Sequence, residues 1–224
     1  MAKGLVVSAP RSGSGKTVMT LGLLAALRRR GLVVAPAKSG PDYIDPQFSG
    51  RAAGRDAINL DPWAMPKDQL RALASQQGTG ADLLLVEGAM GLFDASADGQ
   101  GSTGDLAETL GLPVILVVDA DRHSQSVAPL VSGFAHWRPG VAVAGVILNR
   151  VASARHERML ASALRETGLP LLGAIPRRSE LVTPERHLGL VLPEETSDFE
   201  SFLDYAAQAI ADFVDLESLL ALAA

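Results

Sequence analysis

Three short stretches hold residues whose types and spacing could do chemistry. Residues 9–17 read APRSGSGKT. Ser12, Gly13, Ser14 and Gly15 give a backbone free to curl until successive N–H groups point inward at phosphate oxygens; Lys16 can neutralise the outer phosphates, and Thr17 offers a hydroxyl to magnesium at a helix N-terminus. The loop departs from the common phosphate-cradling pattern, because Pro10 stands five residues before Gly15, where the first glycine belongs, and Ala9 before it points to a loop longer by one. Residues 39–48, SGPDYIDPQF, set Asp42 and Asp45 around Tyr43 and Ile44 and between Pro41 and Pro46. Residues 83–94, LLLVEGAMGLFD, end an aliphatic run on Glu87 and bring Asp94 seven residues later. Magnesium takes oxygen ligands and keeps several waters, so one or two carboxylates beside Thr17 and phosphate oxygens suffice. Four acids exceed that need, leaving a surplus to order loops or position a substrate group. For Asp42 and Asp45 the plainer role of capping turns next to the prolines also stands open.

The elements that must position these residues follow from hydropathy. Unbroken aliphatic runs of strand length occupy 5–8, 32–36, 83–86, 114–118 and 144–148, with a weaker one at 171–175. Continuous rather than alternating apolar strands are what a parallel sheet covered on both faces requires. Residues 16–30 carry Leu21, Leu24 and Leu27 at helical spacing and stop at Gly31; residues 154–167 repeat the pattern with Met159, Leu160 and Leu164 before Gly168. The expected fold is α/β, doubly wound around a mainly parallel sheet, with ligands at the carboxyl ends of the strands and Glu87 closing the third. A main domain is expected over 1–196. A packing helix over 197–214 would be capped by Ser197 with Glu200, and its apolar face would run from Phe199 through Leu203, Ala206 and Ile210 to Phe213. The closing ESLLALAA reads as exposed leucines at the start of a linker over 215–224.

Composition removes several classes. The 224 residues, 47 % hydrophobic and only 4 % aromatic, can fill one large aliphatic core. With no cysteine there is no disulfide, thiolate metal site or cysteine nucleophile. A formal net charge of −5 without a long basic run argues against nucleic-acid binding. Apolar runs stay far below the ~18 residues of a membrane span and Met1 opens no signal peptide, so a cytoplasmic protein without membrane contact is expected. His123, His136, His156 and His187 lack ligand spacing, and the arginines at 28–30 suit a helix C-terminus.

APRSGSGKT, PAKSGPDYIDPQF, NLDPWAM, VEGAMGLFDA, SQSV, GVILNRV and PERHLGLV occur in order along nearly the whole chain. This ordered set resembles the synthetase domain of the cobyrinic/hydrogenobyrinic acid a,c-diamide synthases, P-loop NTPases of the dethiobiotin synthetase-like type; DPWAM and SQSV are closer to the hydrogenobyrinate-using members. The resemblance implies ATP and Mg²⁺ as cofactors and a corrin polycarboxylate as substrate, activated at its a and c acetates as acyl phosphates and amidated by ammonia. It implies nucleotide binding by the loop from Arg11 to Thr17 and by Asn149 at the base, magnesium at Thr17, Asp42 and Glu87, and catalysis by Lys16, Lys38, Asp45 and Asp94. Asp42, Tyr43, Ile44 and Ser102 would meet the substrate, although Ser102 and Thr103 fit equally well as the cap of a helix beginning at Gly104. Arg11, Arg51, Arg55 or Arg150 would attract substrate carboxylates. Full-length members carry a cysteine-based glutaminase domain, so ammonia is expected from such a domain or as free ammonium.

Two rival readings share the fold. A partition or septum-positioning ATPase would use Arg11 across a homodimer, but GPDYIDP and the lack of a basic amphipathic tail stand against it. A dethiobiotin synthetase-like carboxylate-activating enzyme is the second.

Overall fold

The computed structural model describes residues 3–181 and 198–224. The PERHLGLV segment with His187, and the expected cap residue Ser197, lie outside these. Seven strands, β1 (Gly4–Ser8), β2 (Val34–Ser39), β3 (Ile58–Leu60), β4 (Leu83–Glu87), β5 (Val114–Asp119), β6 (Val143–Val151) and β7 (Leu171–Pro176), alternate with helices. The helices are α1 (Lys16–Arg29), α2 (Asp45–Ala53), α3 (Lys67–Gln77), α4 (Thr103–Leu110), α5 (Val127–His136), α6 (Ala154–Leu164), α7 (Phe199–Phe213) and α8 (Leu216–Ala221). The strands form one sheet in the order β3-β2-β4-β1-β5-β6-β7, and every strand pair in it is parallel.

The unbroken apolar runs are explained by two cores. Leu5 and Val7, Leu83 and Leu85, Ile115 and Val117 face one side, where α1, α2, α7 and α8 pack. Their neighbours Val6, Leu84, Val86, Leu116 and Val118 face the other, where α3, α4, α5 and α6 pack. A strand with side chains alternating between two dry layers has no position left for a polar residue until it reaches its end.

Three sequence expectations need correction. The short β3 was not anticipated, so Glu87 closes the fourth strand, not the third. Strand β2 runs three residues past Pro36, because pairing with β4 continues to Lys38 opposite Glu87. Pro36 is tolerated there because its missing N–H falls on the side where β3 has not yet begun: β3 pairs only from Ala37 onward, and Gln77 donates to the Pro36 carbonyl in its place. Lastly, the leucines of ESLLALAA are not exposed. Leu219 lies in the first core beside the preceding Leu216; Leu220 and Leu222 pack half-buried against it, and Ala224 exchanges backbone hydrogen bonds with Gly4. The short helix formed, LESLLA over Leu216–Ala221, turns Leu216 and Leu219 inward and leaves Glu217 and Ser218 outward.

Helix α7 lies along α1, with Asp198 at its N-cap. The approach is close: a Cβ on Gly22 would fall 2.8 Å from Ile210 Cγ1 and 2.9 Å from the Ala206 carbonyl oxygen. Among the described residues no helix is long and apolar enough to cross a membrane.

Candidate active site

The loop between β1 and α1 is built on two left-handed glycines, Gly13 at φ 77° and Gly15 at φ 94°. Such values suit glycine because it has no Cβ. Ser14 is buried and donates to the Arg11 carbonyl at 3.0 Å, which closes the curl. Gly15 has a second constraint, since a Cβ there would lie 2.2 Å from Asn149 Nδ2.

Beside this loop the ends of β2 and β4 meet. Parallel register sets Lys38 opposite Glu87, and their side chains join at 3.0 Å. Thr17, in the first turn of α1, donates to the same Glu87 Oε1 at 2.7 Å. Asp45 is the first residue of α2 and accepts a hydrogen bond from Lys38. Lys16 turns its ammonium onto the carbonyl of Met90, a residue held at φ 50°. These groups border an open cleft of about 480 Å³, which Ser12, Gly13, Asp42 and the short segment Gly88–Met90 also line.

The electrostatics of the cluster follow from burial and count. Burial works to lower the Lys38 pKa, yet the two carboxylates of Glu87 and Asp45 outweigh it and hold the ammonium well above its ordinary range. Asp45 is raised, first by burial and then by Glu87, with the single ammonium of Lys38 only partly compensating. Lys16 is lowered, chiefly by burial, against the pull of Glu87. Glu87 is 1 % exposed, and its Oε2 is buried without any hydrogen-bond partner. A buried carboxylate oxygen without a partner is costly unless something positive meets it. Beside the Thr17 hydroxyl it fits a magnesium ion, which needs few protein ligands. Among the described residues no three acidic or histidine side chains converge as a ready-made metal site.

The remaining sequence candidates are placed as follows. Asp42 is exposed and its Oδ1 accepts from the Ile44 and Asp45 backbone at 2.8 and 3.1 Å, so it caps the start of α2 while bordering the cleft. Tyr43 is 83 % exposed, whereas Ile44, expected to touch substrate, packs against the first core. Asp94 accepts from Gly91 N at 2.8 Å and bears on Lys16 only through its charge. Ser102 is 2 % exposed and forms a complete capping box with Asp105, so the open alternative resolves to the cap, with α4 starting one residue earlier at Thr103. The amide of Asn149 is engaged by the loop and its own neighbour: Nδ2 donates to the Ser14 carbonyl at 3.0 Å and Oδ1 accepts from Arg150 N at 2.9 Å. Arg51 pairs with Glu200, Arg55 caps the carbonyls of Gln77 and Thr79, and Arg11 and Arg150 both reach Asp119. Sequence reasoning missed two contributors. The Met90 carbonyl has no residue-type signature, and Asp119 stood in plain sight at the end of VILVVD, a buried-strand acid of the kind that singled out Glu87.

The family model described as the CobQ/CobB/MinD/ParA nucleotide binding domain matches residues 5–191. The chain belongs to this family. It is thus a nucleotide-binding domain by family; the curled loop with its two left-handed glycines has the geometry of an anion-binding turn. The hydrogenobyrinate a,c-diamide synthase of Brucella anthropi is 56 % identical over 97 % of this chain and 50 % of that protein. That of Rhodobacter capsulatus is 54 % identical over 99 % of this chain and 52 % of its own length. The chain thus spans about half the length of the curated relatives it matches. Among solved structures, the MinD cell division protein of Aquifex aeolicus superposes with a TM-score of 0.58 at 16 % identity, covering 94 % of this chain and 97 % of that one. The septum site-determining protein MinD of Pyrococcus horikoshii, solved with Mg-ADP, gives 0.52 at 18 % identity, covering 92 % and 95 %. At such identities these two show a shared doubly wound P-loop fold.

Proposed function

We propose that this chain is the ATP- and Mg²⁺-dependent synthetase part of a hydrogenobyrinate a,c-diamide synthase, amidating the a and c acetate groups of a corrin in cytoplasmic cobalamin biosynthesis. The observation that carries the reading is Lys38, a buried ammonium between Asp45 and Glu87 at the edge of the phosphate loop. A phosphate-binding site alone does not need it. A site that must bring a substrate carboxylate up to the triphosphate, negative against negative, does.

When bound, magnesium–ATP supplies the phosphoryl group that turns an unreactive carboxylate into an acyl phosphate, which ammonia can attack. Such transfer depends mainly on in-line positioning and charge neutralisation. Lys16 and the loop N–H groups would hold the phosphates, and Thr17 with Glu87 would hold the ion. Lys38 would receive the substrate carboxylate and screen the charge between it and the phosphates, while Asp45 keeps Lys38 aimed. Asp42 and Asp94 would shape the two loops that border the cleft. Asn149 would hold the loop through the Ser14 carbonyl, and Tyr43 would contact the macrocycle. With no cysteine, this chain cannot form the thioester of a glutaminase. Ammonia would come from a separate glutaminase domain or as free ammonium.

The test is direct. Purified chain is incubated with Mg-ATP, ammonium and hydrogenobyrinic acid, and diamide is followed by mass spectrometry. Product is expected with ammonium and absent with glutamine alone, and Glu87→Gln should lower the rate at least ~100-fold, on the scale of losing one preorganised charge-stabilising group. ATP turnover that ignores the corrin would remove this reading and leave a regulatory ATPase.

A further inference from the structure

Arg150 is in a conformation that an arginine does not choose. It sits in β6 at φ 58°, in the left-handed region that crowds any Cβ, and the register of β6 against β7 is broken over Leu148–Val151. Irregularities of this kind re-aim a side chain that regular pairing would send elsewhere. Here the side chain is aimed at the phosphate loop. Its Nη1 donates to the Gly13 carbonyl at 2.9 Å and to Asp119 Oδ2 at 2.8 Å. Asp119 is 9 % exposed, at the end of the neighbouring strand β5, and Arg11 reaches the same oxygen from the loop at 3.4 Å. One residue before, Asn149 holds the Ser14 carbonyl.

The consequence is directional. A peptide unit whose carbonyl is drawn one way presents the following N–H the other way. With the carbonyls of Gly13 and Ser14 both drawn toward β6, the N–H groups of Ser14 and Gly15 are turned from β6, as an anion-binding nest requires. Loop glycines are conformationally free, so without that hold the loop has many shapes of which few bind phosphate. We propose that Arg150, anchored by Asp119, is a positioning residue for the nucleotide: it preorganises the phosphate loop through the Gly13 carbonyl and need not touch the ligand. This rests on the nucleotide-binding reading of the cleft and extends it to a pair of residues on β5 and β6 that do not line it.

The left-handed backbone supplies an unusual control. Arg150→Gly removes the guanidinium and at the same time relieves the strained φ, so it separates loop bracing from fold stability. Affinity is measured by titrating the full chain with a fluorescent non-hydrolysable ATP analogue in magnesium, alongside thermal melting. Arg150→Gly is expected to melt at or above the wild-type temperature, yet bind the analogue about tenfold more weakly. Asp119→Asn should weaken binding in the same direction, since Arg150 then loses its anchor. Arg150→Lys keeps the charge, but its ammonium stands on a differently shaped stem without the planar nitrogen that meets both Gly13 O and Asp119 Oδ2, so it should recover only part of the affinity. Affinity within twofold of wild type in Arg150→Gly overturns the proposal, as does an affinity loss accompanied by a matching loss of stability. A wild-type chain that fails to bind the analogue sinks the nucleotide reading itself, which is a distinct result.

Discussion

Two carboxylates share one ammonium at the centre of the cleft, and that count governs how the site should respond to pH. Lys38 gains from both neighbours and stays protonated throughout the working range. Asp45 gains from Lys38 but is buried and lies near Glu87, so it takes up a proton at higher pH than an ordinary aspartate. The sign follows. If the proposed reaction needs the Asp45 carboxylate to hold Lys38, the rate falls as pH drops through that raised pKa, which lies above that of an ordinary aspartate. Asp45→Asn should be slow and should lose this acid limb, while its ATP affinity changes little. A variant that loses ATP affinity in step with rate would move Asp45 into the magnesium shell. Asp94→Asn serves as the comparison: its carboxylate holds Gly91 N, so the expected effect is a looser 88–94 loop with the acid limb of Asp45 retained. At this scale the sequence singled out residue types suited to the chemistry, Lys16, Thr17, Lys38 and Glu87, and the structure brings them to one cleft. It was silent where a backbone group acts, as at the Met90 carbonyl, and it read Asn149 as a contact to the base where the observed bond of its amide is to the Ser14 carbonyl of the loop.

Helix α4 shows how an element near the site is fixed. Its N-terminus carries a capping box in which Asp105 accepts from Ser102 N at 2.8 Å and from Ser102 Oγ at 2.9 Å, while Arg138, just beyond α5, donates to the other oxygen at 2.7 Å. Thr103, the first helical residue, exchanges hydrogen bonds with Ala89 at 3.0 and 3.1 Å, which ties the helix to the loop behind Glu87. Burial alone would raise Asp105, but the Arg138 and Ser102 bonds prevail and hold its carboxyl below the ordinary range. A carboxylate with a depressed folded pKa stabilises the fold above its unfolded pKa, and that contribution disappears as pH falls through the folded value. Removing such a cap costs about 1 kcal/mol, or about 2–4 °C in Tm for a chain of this size. Asp105→Ala should therefore melt lower by about that amount at pH 7, with the gap closing as pH drops below the carboxylate range. A pH-independent gap would mean that the charge is idle and only packing was lost. The capping box was not legible at Gly104, because the sequence there offers Ser102 and Thr103 as equal candidates and only the observed backbone tells them apart. β3 was missed for a related reason: three residues, INL, between an aspartate and an alanine on one side and an aspartate and a proline on the other, carry too little periodicity to declare a strand.

Across the whole molecule, chemistry and chain closure occupy opposite ends of one sheet. The phosphate loop, Lys38, Glu87 and Asp119 all stand at or just beyond carboxyl ends of strands, where the doubly wound fold leaves its crevice. The final residues close the other end: α8 packs Leu216 and Leu219 into the first core, Leu222 approaches Gly145 early in β6, and Ala224 pairs with Gly4 where β1 begins. Sequence reading went astray here because leucines late in a chain carry no label for the surface they cover, and the edges of the core exist only once the sheet is assembled. The arrangement makes stability and ligand affinity separable. Leu219 is fully buried, so Leu219→Ala should cost about 2–5 kcal/mol, lowering Tm by about 4–20 °C. Between α8 and the loop lies the length of β1, whose strand neighbours on both sides are paired and rigid. Nucleotide affinity measured well below the lowered Tm should therefore match the wild type within about twofold, a difference smaller than the ~0.5 kcal/mol scatter of distant, independent sites. An unchanged Tm would mean that α8 does not cover this core, and an affinity that falls with the melting temperature would show that the two ends of the sheet are coupled.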